Sequence, residues 1–313
     1  MSKKDLVQRN SFMAKFIRRT IFAGAILILP LVWWAFSFFY TTGDTILLAF
    51  KMWDIKAESY YFCNFDNFIE VIQDMTLDGG ILNISFKNSF TLWIISTFIT
   101  LPISVIISFA LHKRIYGVGA FKIILFLPHI VSGMVWTIIY KYMVEYGIPA
   151  IMGIPVGQMT SLLNTPPHDL TMLIIYQQWL GLAGNMVIYT GAMSRVPPSL
   201  VEAGQLDGMG SFREFTDIVI PLIFPTLSVV IITCVVGIFT SSLPTYQFYG
   251  SKSGAVRDGL YTFGYYTFVR GLGQSPTQIP AVSALSIIVC VLATPITLLI
   301  RWLLERYGPT VEY

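Results

Sequence analysis

Six long apolar runs constrain this chain more than any other feature of its sequence. A helix needs about 20 mostly apolar residues to cross the hydrocarbon core of a bilayer, where no water can pair free backbone groups. Runs of that kind predict an all-α, polytopic membrane protein with six transmembrane helices. They cover residues 21–40, 88–111, 121–144, 171–193, 220–242 and 281–303.

The composition agrees with a surface that faces lipid. Hydrophobic residues make up 55% of the chain and charged residues only 12%, whereas soluble domains carry about 25% charged residues. Cys63, Cys234 and Cys290 lack metal-binding spacing and indicate neither a disulfide nor a metal site.

The positions of Lys and Arg predict the orientation of the spans. With the N-terminus inside, the cytoplasmic segments hold more cations than the outer ones, as the positive-inside rule requires. We therefore expect a multi-pass protein of a prokaryotic cell membrane with both termini in the cytoplasm. The inner cations are Lys3, Lys4, Arg9, Lys15, Arg18, Arg19, Lys113, Arg114, Lys122, Arg195, Arg213, Arg301 and Arg306.

The apolar runs divide the chain into predicted segments. A signal peptide is disfavoured, because the first run is long enough to span and no small-x-small cleavage site follows Tyr40. The acidic loop 41–87 is expected to form an extracytoplasmic cap of short helices, or else a solvated loop without a specific partner. The segments are a basic cytoplasmic N-terminus (1–20), a first transmembrane helix (21–40), an extracytoplasmic loop (41–87), a core of five transmembrane helices (88–303) that includes a cytoplasmic loop (194–220), and a cytoplasmic tail (304–313).

The cytoplasmic loop 194–220 contains the most informative pattern. Ser199 and Glu202 have the spacing of a capping box, so a short amphipathic helix is expected to begin at Leu200.

A turn and a second helical stretch complete this loop. Asp207-Gly208 is a turn signal, Phe212 and Phe215 are expected to share one helix face, and Pro221 marks the return into the membrane. A helix-turn-helix under the bilayer, with apolar residues facing out of the bundle, indicates a docking element rather than an active site.

This loop resembles the EAA loop of ABC importer permeases, whose usual pattern is EAA-x-x-DGA with a Phe and a Leu-Pro downstream. The resemblance extends from about Asn83 to the C-terminus, and Arg195-Val-Pro-Pro-Ser-Leu is most similar to the maltose and glycerol-phosphate group, which moves oligosaccharides, sugars and polyols. The matching residues are Glu202, Ala203, Gly204, Asp207, Gly208, Phe215, Ile218 and Pro221. The departures are Gly204 and Met209, where the family usually has Ala, and Ile220, where Leu is usual.

The resemblance implies a type I ABC importer permease core that transports carbohydrate by alternating access and is not an enzyme. Its implied partners are a second homologous permease, two ATP-binding cassette subunits and an extracytoplasmic solute-binding protein, with lipid around it and no nucleic acid. The chain itself would hold no cofactor, since ATP and Mg would bind the ATPase subunits. The residues that would couple to the ATPase are Glu202, Ala203, Gly204, Asp207, Gly208, Phe212, Phe215 and Pro221.

Polar side chains in the fourth and fifth spans are candidates for the translocation path. Amides and hydroxyls can pair with sugar hydroxyls, and aromatic rings can stack on a sugar face. Hydrogen bonds between helices, or from Thr and Ser to their own helix carbonyls, are the structural alternative. The candidates are Gln177, Gln178, Trp179, Asn185, Tyr189, Thr233, Gly237, Thr240 and Ser241.

Other classes of function fit the sequence less well. An integral-membrane enzyme would need convergent catalytic groups, whereas His112, His129 and His168 are scattered. A secondary carrier would usually need a charge inside a span, but only Lys141 comes close, near the end of one. The segment 250–254 resembles part of a phosphate loop without its spacing. An ABC importer for a non-sugar solute remains the nearest alternative.

Overall fold

The computed structural model is a helical bundle that describes residues 3–113, 117–153, 162–241, 244–250, 258–272 and 275–309, with side chains from residue 18 onward except at residue 23. Its helices are α1 (Lys3–Ala49), α2 (Asp66–Thr76), α3 (Ile81–Ile95), α4 (Leu101–His112), α5 (Val118–Ile130), α6 (Gly133–Tyr142), α7 (Ile148–Ile151), α8 (His168–Met193), α9 (Pro198–Leu206), α10 (Ser211–Arg213), α11 (Ile220–Thr240), α12 (Thr245–Tyr249), α13 (Phe263–Leu272) and α14 (Ile279–Tyr307). Three π-helical turns (Ser96–Thr100, Met143–Gly147, Glu214–Val219), a 3₁₀ turn (Asp258–Leu260) and strands β1 (Lys51–Asp54) and β2 (Ser59–Phe62) complete the described elements.

Four helical stretches of the described chain are long and apolar enough to cross a membrane, and a bent pair of helices makes a fifth. Helix α8, the predicted fourth span, has 26 residues and a length of about 39 Å at about 1.5 Å per residue. Its amide and other polar side chains make it less apolar than these four stretches, and it is not counted among them. The architecture is therefore compatible with six crossings. The four stretches are Arg18–Ala49, Ile81–His112, Ser211–Thr240 and Ile279–Tyr307.

The third apolar run, 121–144, differs from the prediction of one continuous span. The structure divides it into α5 and a second helical stretch, Gly133–Ile151, bent by 103° at a short break. Pro128 lies in the last turn of α5, and Val131 and Ser132 have extended ψ values of 145° and 133° that end the helix. Because a proline removes one backbone donor and crowds the preceding turn, this region favours a bend.

The loop 41–87, predicted to be extracytoplasmic, also has a structure different from the prediction. Helix α1 continues past residue 40 to Ala49, and the cap is a β-hairpin followed by α2 rather than a set of short helices. In the antiparallel hairpin, Trp53 faces Tyr60 with ring centroids 4.8 Å apart, a pair that stabilises neighbouring strands. Asn67 of α2 donates from Nδ2 to the carbonyls of Ala49 (2.9 Å) and Lys51 (2.7 Å), which fixes the cap on the end of α1.

The bundle has two distinct ends, each with its own apolar cluster. At the end that we call the cap end, Val71 and Leu82 pack with Phe263 and Leu285. At the opposite end, which we call the loop end, Val105, Met193, Val219 and Ile223 pack together where α4, α8 and α11 meet. Since α8 packs against α4, α5 and α11, it is the central helix that connects the two ends.

A proline follows each π-helical turn of the described residues, with one residue between them. The turns Ser96–Thr100, Met143–Gly147 and Glu214–Val219 are followed in this way by Pro102, Pro149 and Pro221. A π-turn accommodates one extra residue, and proline cannot donate to the regular helical ladder. The combination lets a helix pass a proline without breaking.

Candidate coupling and translocation sites

Helix α9 of the loop end starts earlier than the capping box predicted. Its first residue is Pro198 rather than Leu200, and no side chain caps its N-terminus. Proline is favoured at the first position of a helix, because its φ is already helical and its missing N–H needs no partner there. Ser199 thus lies inside the first turn, and the predicted capping box with Glu202 is wrong.

The turn after α9 is a Schellman motif built by Asp207-Gly208. Gly208 has φ +75°, the backbone N–H of Met209 donates to the Gly204 carbonyl at 2.9 Å, and that of Gly208 donates to the Gln205 carbonyl at 3.1 Å. This pair of bonds closes the end of a helix and needs a left-handed residue. The Asp-Gly signal therefore marks the helix end, as the sequence indicated.

Gly204 is buried against this chain's own side chains. A Cβ atom at this position would lie 3.2 Å from Ile218 Cδ1 and 3.2 Å from Met209 Sδ. The lack of a side chain lets α9 approach the π-turn Glu214–Val219 closely. Of the EAA-like residues, Gly204 faces the bundle, while Glu202 and Ala203 are exposed.

The exposed surface of this segment, which we call the loop-end knob, contains unpartnered apolar side chains. Leu206 is 89% exposed and Phe212 is 77% exposed. Phe215 instead packs into the bundle, with its ring 4.8 Å from that of Phe109 in α4, so the two phenylalanines have different environments. Leu206 was not singled out from the sequence, although an apolar residue directly before a polar turn was the available signal. The knob comprises Leu200, Glu202, Ala203, Leu206, Asp207, Gly208 and Phe212.

An ion pair that the sequence did not predict, between a partly buried lysine and a buried glutamate, joins the π-turn Glu214–Val219 after the knob to the end of α4. Lys113 Nζ lies 2.5 Å from Glu214 Oε2, and Glu214 is 3% exposed. The Lys113 ammonium also lies 5.7 Å from the centroid of the Phe109 ring. Pro221 lies in the first turn of α11 and is partly buried. Arg114, the other predicted cation here, lies outside the described residues.

The face of α8 that carries Gln178, Asn185 and Tyr189 is turned toward the bundle rather than solvent. Gln178 Oε1 accepts hydrogen bonds from Thr100 Oγ1 (2.7 Å) and Ser96 Oγ (3.0 Å). Tyr189 is fully buried, and Asn185 is partly buried. At Gln178, the geometry is that of an interhelical hydrogen bond, the structural alternative considered from the sequence.

Gln177, one residue away, lines an open pocket that we call the amide pocket, with a volume of about 220 Å³. Tyr246 and Phe268 form an edge-to-face pair 5.0 Å apart at this pocket, and Gln247 adds a second amide. The sequence analysis did not single out Tyr246, Gln247 or Phe268, although aromatic residues cluster in the loop 243–280. The full lining is Gly133, Gln177, Leu180, Pro244, Tyr246, Gln247 and Phe268.

Other predicted path residues lie elsewhere. Trp179 packs edge-to-face on Trp136 at 5.0 Å. Thr233 and Thr240 are exposed on α11 and donate to their own helix carbonyls at 2.8 Å and 3.2 Å. Ser241 lies against Gly264. A Cβ atom added to Gly264 would lie 2.7 Å from the carbonyl of Ser241.

The segment 250–254, which resembles part of a phosphate loop, falls mostly outside the described residues, since 251–257 are not described. Within the described part of the chain, no group of three or more His, Cys, Asp or Glu side chains could hold a metal ion.

A multi-pass helical bundle with a helix-turn-helix knob at one end and a polar, aromatic pocket toward the other defines a membrane transport component. The chain belongs to the family described as "Binding-protein-dependent transport system inner membrane component", whose model matches residues 79–309. The match includes every helix from α3 to α14. The protein is therefore a permease of the ABC importer class, built into the membrane by several spans.

Curated relatives place the chain within this family. It is 28% identical over 210 residues to the multiple sugar-binding transport system permease MsmF of Streptococcus mutans, covering 66% of this chain and 70% of the relative. It is 23% identical over 222 residues to the sn-glycerol-3-phosphate permease UgpA of Yersinia pestis, covering 70% and 74%. It is 26% identical over 166 residues to the maltose/maltodextrin permease MalF of Escherichia coli K12, covering 52% of this chain and 32% of the relative.

A solved structure has the same fold. A chain of the bacterial alginate ABC transporter, in complex with an alginate pentasaccharide-bound periplasmic protein, superposes with a TM-score of 0.73 at 19% identity. The alignment covers 95% of this chain and 99% of that chain. The architecture predicted from the sequence, a permease core of membrane helices, is confirmed.

Proposed function

We propose that this chain is one permease subunit of an ATP-driven importer of carbohydrates, in which separate ATPase subunits bind ATP and Mg. The knob would dock on an ATPase, a second homologous permease would complete the pore, and a loaded solute-binding protein would deliver the solute at the cap end. No chemical change of the solute is expected. The observation that carries this proposal is the knob, because exposed Leu and Phe on a short rigid helix-turn-helix are typical of a docking surface.

The orientation follows from the same proposal. An ATPase partner must be cytoplasmic, so the loop end and both termini are placed in the cytoplasm. The excess of Lys and Arg near the spans at this end supports that orientation. The cap end would then face outward, where a binding protein delivers solute.

The amide pocket supports carbohydrate as the solute class. Gln177 and Gln247 can each donate and accept hydrogen bonds, and the pair of Tyr246 and Phe268 offers aromatic surface for a sugar face. The names of the relatives, which refer to sugars, maltodextrins and glycerol phosphate, favour the same class. A non-sugar solute is the alternative outcome of a transport screen with labelled mono- and oligosaccharides.

The substitution Gly208→Trp tests the docking role. Gly208 has φ +75°, which costs a non-glycine residue about 1–2 kcal/mol, and the indole would project from the knob. We expect the variant to enter the membrane but to lose co-purification with the ATPase subunit, and with it ATP-driven uptake.

Gly79→Trp is the matched control. Gly79 also has a positive φ, +88°, with open space around it, but it lies at the cap end. It should keep the ATPase subunit bound. Retention of the ATPase and of uptake by Gly208→Trp would contradict the proposed docking site.

A further inference from the structure

The ion pair between Lys113 and Glu214 is unlike an ordinary stabilising contact, because its carboxylate is buried and it joins two elements that are far apart in the sequence. Glu214 is 3% exposed, and removing a carboxylate from water is costly enough that a buried ion pair is often no better than an apolar pair of the same size. What such a pair does provide is one defined geometry. Here it joins the π-turn Glu214–Val219, on which α9 packs, to Lys113, the residue directly after the end of α4.

A second contact lies one helical turn away and makes the connection stiff. Phe109 in the last turn of α4 and Lys113 directly after the helix are four residues apart, and they contact the neighbouring residues Phe215 and Glu214. A charge contact and a ring contact on the same two elements restrain both the position and the rotation of α4 relative to the knob.

Helix α4 begins directly after the π-turn Ser96–Thr100, at the end opposite Lys113. It runs from Leu101 to His112. Along its length, the small residues Ser104 and Ser108 are fully buried, and Ser108 Oγ approaches the Met186 carbonyl of α8 at 3.4 Å. Small residues at a helix contact in a membrane allow two helices to lie close together.

The π-turn is held by α8 right beside the amide pocket. Ser96 and Thr100 donate to Gln178, and the preceding residue, Gln177, lines the pocket. A rotation of α4 about this turn would therefore change the polar contacts next to the pocket.

We propose that α4 is a lever that transmits movement of the knob to the translocation path, with Lys113 and Glu214 as the positioning residues that connect it to the knob. This inference rests on the proposed docking of the knob to an ATPase. The lever turns about the π-turn Ser96–Thr100 when ATP binding moves the knob. Neither residue contacts solute or nucleotide in this arrangement.

Spin-label distances in the purified importer complex test the lever. In a background with Cys63, Cys234 and Cys290 replaced by alanine, labels at Ser199 on α9 and Ile106 on α4 are each measured against Leu299 on α14, three positions that are exposed in this chain. A non-hydrolysable ATP analogue with Mg should shift both distances. With Glu214→Gln, the Ser199 shift should persist and the Ile106 shift should be lost.

Two further variants make the test specific. Glu305→Gln breaks an exposed ion pair with Arg301 on α14 and should leave both shifts unchanged. The exchange Lys113→Glu with Glu214→Lys should restore the Ile106 shift that Glu214→Gln removes.

The outcomes separate the lever from the function on which it rests. An unchanged Ile106 shift in Glu214→Gln, or an exchange variant that keeps the Ser199 shift without regaining the Ile106 shift, would overturn the lever. If the unsubstituted complex showed no Ser199 shift with nucleotide, the docking of the knob itself would be refuted.

Discussion

At the scale of single residues, the knob shows how two departures from a family pattern compensate each other. Gly204 and Met209 both stand where the EAA pattern usually has Ala. The Met209 side chain covers the space that the missing Cβ of Gly204 leaves, at 3.2 Å. A smaller residue in the helix and a larger one after the turn fill the same volume, so the pair acts as one packing unit.

This compensation predicts that the effects of Gly204→Ala and Met209→Ala on the free energy of unfolding are not additive. Gly204→Ala gains about 1 kcal/mol of helix propensity, but with Met209 in place the extra methyl costs about as much through overpacking. Combined with Met209→Ala, part of the gain should appear, because Ile218 Cδ1 still lies 3.2 Å from the new methyl, and the coupling free energy in a double-mutant cycle should be about 0.5–1 kcal/mol. The measurement is the free energy of unfolding in mixed micelles.

Gly191→Ala provides the control for this cycle. Gly191 is a helical glycine near the end of α8 with nothing within 4 Å of a Cβ position. Its effect should add independently to that of Met209→Ala. Additive effects for Gly204→Ala as well would contradict the shared packing.

The sequence predicted where the knob lies, but not which of the residues in this region face the bundle and which are exposed. A helix as short as α9, with nine residues, has too few turns for its periodicity to indicate which face is buried. Gly204 faces the bundle because it packs on Ile218 of the following π-turn, and Phe215 faces the bundle because it packs on Phe109 of α4, which is distant in the sequence. The partner of Glu214 could not be predicted, because Lys113 lies 101 residues away.

At the scale of elements, the π-turns explain how long helices pass prolines. The turn Ser96–Thr100 contains the extra residue that keeps α3 and α4 in one continuous stretch, Ile81–His112, despite Pro102. The sequence located this span and its proline, but not the π-turn, because the choice between a kink and a π-turn depends on the neighbouring Gln178.

Single-residue deletions should distinguish this turn from regular helix. Deletion of Phe98, an exposed residue of the π-turn, should convert the turn to regular helix and leave α4 packed on α8. Deletion of Ile106, an exposed residue of α4, should rotate all following residues by about 100° and bury the wrong face. Thermal unfolding in detergent should show a modest loss for the first and loss of the folded chain for the second.

The reverse order of stability would show that the extra residue is not accommodated at the π-turn. Equal losses would contradict the same assignment.

At the scale of the whole molecule, the two ends of the bundle should lie on opposite sides of the membrane. Ala57 in the hairpin turn and Ser199 in α9 are both exposed, and Gly208 and Gly79 mark the same two ends. The described helices are compatible with the six predicted crossings, and the bend in the third run was not predicted. The apolarity of that run indicated a membrane span, but apolarity alone cannot predict where the helix axis bends.

Labelling of introduced cysteines tests this orientation. With the three native cysteines replaced, Ala57→Cys should react with an impermeant maleimide added to intact spheroplasts, and Ser199→Cys only after the membrane is opened or inverted. The positive-inside distribution of Lys and Arg is the physical reason. Labelling of Ser199→Cys from outside would reverse the orientation and remove the basis for a cytoplasmic ATPase.

The 103° bend between α5 and α6 has a consequence for the order in which the chain matures. The Gly133 carbonyl beside the bend lies 2.9 Å from Thr137 Oγ1 and 3.1 Å from Tyr176 Oη, and a carbonyl in lipid needs such donors. Tyr176 belongs to α8, which leaves the ribosome later. The third run therefore enters the bilayer before its bend has all its donors, and acquires its final shape only when the next helix arrives beside it.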